Sequence, residues 1–140
     1  MYSVQQPACP LDYSHCDQTV TIYHQDKMSK EIHRVVIHGA HLDFKRTQNT
    51  DKTGSKDASS FFLVVPESSC RYVPPDAYTG ADGTYTLAAA DKVQLGEGPH
   101  LPDRAAWASH IPTLVNDLVV VQYVDPKFWR GERCHLEAGG

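Results

Sequence analysis

The chain has 140 residues, 41% of them apolar and 21% charged, and a net charge of −4 with histidine neutral. That length suits one domain able to fold on a single core, and the apolar content excludes wholesale disorder. The negative balance excludes a protein whose main task is to coat nucleic acid, because neutralising phosphates takes a surplus of lysine and arginine, although a local basic patch stays compatible with it.

Residues 1–17 carry Pro7 and Pro10 and no periodicity, and they read as an extended arm ahead of a single domain over 18–140. The first ten residues have neither a basic n-region nor an apolar h-region, so no secretory signal is expected. Apolar runs are longest at 61–66 and 118–121, far short of the roughly 20 residues of a spanning helix, and no membrane partner is expected. Synthesis in a cytosol follows, with Cys9, Cys16, Cys70 and Cys134 as thiols.

From Thr19 the texture changes. Residues 19–23 (TVTIY) are β-branched and aromatic at strand spacing. Residues 25–30 are turn-like. Residues 32–44 form a longer apolar pattern interrupted by Gly39, the mark of a bulge or bend. Residues 46–59 hold one apolar side chain, Ala58, and predict a long polar loop. A buried strand is expected over 60–65, stopped by Pro66. Residues 71–73 predict a brief extended piece, Asp82-Gly83 a turn into 84–87, and 91–96 another short strand. Residues 103–107 (DRAAW) alone favour a helix, with Asp103 as its cap. Residues 118–124 predict one continuous strand, Asp125-Pro126 a turn, and 133–138 an antiparallel return. Short strands with Gly and Pro punctuation make the expected fold mostly β: a small β-barrel or sandwich with a short helical segment and an extended N-terminal arm.

The chemistry-bearing residues form no recognised catalytic pattern. None of the eight histidines lies in HExxH or finger spacing, and His33, His38 and His41 fall on mixed strand faces. Cys9, Cys16 and Cys134, with His15 and His135 beside the last two, suggest a zinc pinning the arm to the last strand, but CxxC pairs are absent and buried thiols are the simpler reading. No GxSxG elbow surrounds the serines, and Gly96-Glu97-Gly98 lacks the Lys-Ser/Thr of a phosphate loop. We therefore expect no enzyme, no metal and no cofactor.

Two surfaces stand out. Lys45, Arg46, Lys52 and Lys56 make the long loop a candidate for facing DNA or a partner, although Asp51 and Asp57 offset them. Phe128, Trp129 and Arg130, set in an expected turn, form a candidate interface. The strand aromatics Tyr23, Phe44, Phe61, Phe62, Tyr72, Tyr85 and Tyr123 are expected to pack in the core rather than to stack on bases.

Taken in order, the TVTIY strand, Arg34–Ala40 (RVVIHGA), FLVVP at 62–66, YVPP at 72–75, TYTL with DKV at 84–93, and VQYVD with HLEAGG at the close form a series. Over residues 18–140 it resembles the minor-capsid-type proteins encoded among the head and tail genes of tailed phages and prophages. The resemblance implies a virion structural protein of the head–tail joint: an adaptor, stopper or head-completion component that helps seal the head and dock the tail. It also implies a homo-oligomeric ring in contact with portal or adaptor and tail-side proteins, with non-specific contact to packaged DNA. Such a protein is made in the host cytoplasm and resides in the virion. The arm with Cys9 and Cys16 has no counterpart in that group. A tail terminator, tail-tube or capsid-decoration protein is the nearest alternative, and an OB-like binding module the next.

Overall fold

The structure, a computed structural model, describes residues 11–47 and 58–140, and the side chains of 45–47, 58 and 59 lie outside that description. Among the described residues nine strands and one short helix follow one another: β1 (Gln18–Gln25), β2 (Ile32–Thr47), β3 (Ala58–Pro66), β4 (Arg71–Tyr72), β5 (Thr84–Tyr85), β6 (Lys92–Leu95), α1 (Arg104–Ser109), β7 (Leu118–Val120), β8 (Tyr123–Trp129) and β9 (Glu132–Gly139). Seven strands form one antiparallel sheet in the order β7-β6-β1-β2-β3-β9-β8, and β4 and β5 pair in parallel beside it. The mostly β expectation holds. The ladder is not closed, so a barrel in the strict sense is excluded.

The sheet nevertheless folds over one core, and two chain corners explain how. Strand β2 pairs with β1 through Ala40 and with β3 from His41 onward, so it belongs to both halves of the sheet. At the corner Gly39 has φ +96° and is skipped in the β1 register, a bulge of the kind that bends a strand and increases its twist. The second corner is Val121-Gln122. Val121 still exchanges backbone hydrogen bonds with Ala90 and Asp91 on the β6 side, whereas the Gln122 N–H already donates to Gly139 of β9. The two edge strands, β7 and β8, are thus consecutive in the chain. One continuous strand over 118–124 was expected; the chain instead passes from one end of the sheet to the other.

Alternation explains the packing. Val20, Ile22, Ile37 and Val93 from one half meet Leu42, Leu63, Val65, Leu136 and Ala138 from the other in a single buried cluster. Each such aliphatic side chain contributes about 1.5–3 kcal/mol on full burial. Strand β1 is buried on both faces. Its outward Thr21 donates to the Gly96 carbonyl and accepts from the Gly98 N–H, both at 2.8 Å, and the Tyr23 hydroxyl donates to Pro99. The segment after β6 therefore covers this half from outside. It includes α1, which Asp103 caps by accepting from the Ala106 N–H, as its position in the sequence predicts.

Other expectations shift. Asp125 and Pro126 lie inside β8 rather than in a turn, which an edge strand tolerates because the missing proline N–H is not needed there. The turn comes later, at Arg130-Gly131. Four residues of the polar loop expected over 46–59 belong to strands instead, Arg46 opposite Ser59 and Thr47 opposite Ala58, and residues 48–57 lie outside the described residues. Phe62 and Tyr123 are exposed rather than in the core, lying on either side of Gly139 across the sheet.

Candidate functional site

The β8–β9 hairpin carries the first site. Arg130 (φ +50°) and Gly131 (φ +80°) form a two-residue turn with both central residues left-handed, the geometry that matches strand twist. Below it, a register shift between Lys127 and Phe128 places Phe128 opposite Arg133. The Arg133 guanidinium stands over the rings of both Phe128 (5.6 Å) and Tyr72 (5.3 Å), donates to the Tyr72 carbonyl at 2.8 Å, and pairs with Glu67 at 3.3 Å. The Arg130 guanidinium stands 5.3 Å over Trp129. Phe128 and Trp129 are 59% and 41% exposed, and each ring has a guanidinium standing over it. Aromatics held in place before contact lose little entropy on binding. The expected interface of Phe128, Trp129 and Arg130 is therefore exposed and assembled at one hairpin tip.

The second site lies on the outer face of β3 and β9, beneath residues 11–18. There a cleft of about 640 Å3 is lined by Tyr13, Cys16, His41, Val64, His135 and Glu137, with Leu11, Asp12 and Asp17 also at its lining. His135 and Glu137 share a face because they are two apart in β9. The Tyr13 hydroxyl donates to His135 Nδ1 at 2.6 Å, and His135 Nε2–H donates to Glu137 at 2.9 Å. Burial, with Cys16 and Glu137 adding to it, holds the Tyr13 hydroxyl above its usual pKa, and burial does the same for the Cys16 thiol. Both groups therefore keep their protons at neutral pH. This chain of hydrogen bonds ties Tyr13 to the outer face of β9. Sequence reasoning missed this cleft. The sequence brought the arm to the last strand only as a candidate zinc site with Cys16 and His135, and did not single out Tyr13 or the Glu137 two residues beyond His135.

A third polar cluster is internal. His24 Nδ1 and the Asp91 carboxylate meet at 2.6 Å, both buried, and the same carboxylate oxygen accepts from the Ala88 N–H. Burial raises the Asp91 pKa against the opposing pull of His24. This pair ties β1 to the turn before β6.

The remaining candidates disperse. Lys52 and Lys56 lie outside the described residues, as do the side chains of Lys45 and Arg46. His33 approaches Tyr78 (ring centroids 5.2 Å), His38 bonds Thr19, and His41 enters the cleft. Cys134 is in a disulfide, which corrects the expectation of thiols throughout and removes it as a zinc ligand, whereas Cys16 and Cys70 are free. Cys9 lies outside the described residues. Among the described residues no three of His, Cys, Asp and Glu are grouped to hold a metal. No helix among them is long and apolar enough to cross a membrane.

Fold and sites define a small domain built on one open, folded-over antiparallel sheet, with an exposed aromatic hairpin tip and residues 11–17 laid across its outer face. The model of a family of unknown function, DUF6751, matches residues 15–140, and the chain belongs to that family. Neither curated proteins nor solved structures include a match.

Proposed function

We propose that this chain is a virion structural protein of the head–tail joint of a tailed phage or prophage, acting as an adaptor, stopper or head-completion component. The observation that carries the reading is the hairpin tip. A protein that works by contact needs an exposed anchor rich in Trp and Arg, and Trp129 with Arg130 has the composition and preorganisation of one. The ordered series of strand motifs over residues 18–140 supplies the link to phage head and tail genes. In this reading portal or adaptor and tail-side proteins of the same virion are the partners.

Quantitative mass spectrometry of purified particles tests the proposal. A connector is present at low copy relative to the major capsid protein, and Trp129→Ala reduces its incorporation at least tenfold while leaving the isolated domain folded. High copy would replace this reading with a tube or decoration protein, and absence from intact particles would overturn it.

A further inference from the structure

We propose that the hairpin tip of one copy docks into the arm-covered cleft of a second copy of this chain. This rests on the reading that the tip is a contact surface, and adds what it contacts.

Complementarity carries the inference. The cleft holds about 640 Å3 and opens widely to solvent, leaving room for an indole side chain to lie along its floor. Its apolar lining includes Leu11 and Val64, and the tip presents an indole to fill it. Asp12 and Asp17 are exposed at the cleft, and hydrogen bonds from the Ser14 N–H and hydroxyl favour the ionised Asp12 carboxylate. Arg130, exposed at the tip, brings the matching charge in a planar fork that suits carboxylates.

The chain's own tip cannot fill its own cleft. His135 of the cleft sits opposite Lys127, and the next pair toward the turn is Phe128 with Arg133. Tip and cleft thus share strand β9, the tip lying at its turn end and the cleft along its length, and a two-residue turn cannot fold the hairpin back onto the face of that same strand. Another molecule must supply the tip, and every copy carries both halves. Such a contact either closes reciprocally or propagates from copy to copy.

Sedimentation velocity of the full chain over a concentration series tests this. The wild-type chain should self-associate. Trp129→Ala should weaken that association roughly thirtyfold, and the double variant Asp12→Lys/Asp17→Lys should do the same from the other side. Mixed together, the two variants should form a complex that neither forms alone, because one keeps an intact cleft and the other an intact tip. These positions are exposed, so circular dichroism should show the wild-type fold, and Arg130→Glu is a second tip variant should Trp129→Ala lose it.

A wild-type chain that stays monomeric to roughly 1 mM overturns the proposal, as does association that the cleft variant leaves unchanged. Monomeric chain whose Trp129→Ala variant still fails to enter particles would retain the contact-surface reading and remove the second copy as partner. Tip-dependent association with normal Trp129→Ala particles would do the reverse.

Discussion

At the scale of single residues, His110 shows how burial turns a side chain into a pH-dependent element. It caps the C-terminus of α1, its Nε2–H donates to Gln94 at 2.8 Å, and its ring meets Tyr23 edge-on with centroids 4.8 Å apart. Burial, and secondarily the Lys92 ammonium, pull its pKa below the usual 6.5. A depressed histidine pKa means that the folded state resists a proton the unfolded chain accepts. Its stabilising contribution is therefore complete above pH 6.5 and is lost as pH falls toward and through the folded value. Urea midpoints measured at pH 7.5 and 5.5 should show a loss on acidification that His110→Gln reduces. An equal loss in both proteins would assign the effect to other groups. None of this was legible from eight scattered histidines, because a histidine's role depends on which strand and helix close around it.

At the scale of elements, the corner of β2 is the critical joint. The bulge at Gly39 was legible, since a glycine inside a strand pattern has few other uses. The structure adds what it packs against: a Cβ built there would lie 2.7 Å from the Ser69 hydroxyl, which donates to the Gly39 carbonyl. Gly39→Ala should destabilise the domain by about 1–3 kcal/mol in urea titration, combining left-handed backbone strain with that clash. Adding Ser69→Ala should return only the steric part. The other corner was not legible. Residues 118–124 read as one strand because an apolar run records burial but not its hydrogen-bonding partner, and the change of partner at Val121-Gln122 is set by β6 and β9. Asp125-Pro126 misled for a related reason: its turn chemistry is equally acceptable on an edge strand, and only the sheet order makes β8 an edge. The real turn used Arg130 and Gly131, where the register across β8 and β9 required left-handed residues.

At the scale of the whole molecule, both halves of the sheet share one cluster, and the chain crosses between them at two corners. No half can open without exposing the other's core, so the domain should unfold in one cooperative transition. Trp107, beside Lys92 on α1, and Trp129, at the hairpin tip, report on opposite halves. Fluorescence of single-tryptophan variants and far-UV circular dichroism should give coincident urea transitions, and separated midpoints would show two independent units.

The sequence by itself determined the class of this protein: a mostly β domain, with most of its inward residues and its capped helix. Those properties follow from alternation, propensity and turn chemistry, which act between near neighbours along the chain. Only the tertiary structure decided that the ladder stays open, that β7 and β8 lie at opposite ends, and that Tyr13 reaches His135 across 122 positions to form a cleft. These depend on which distant strands share hydrogen bonds. That choice is made by the summed burial of one core and is written at no single position.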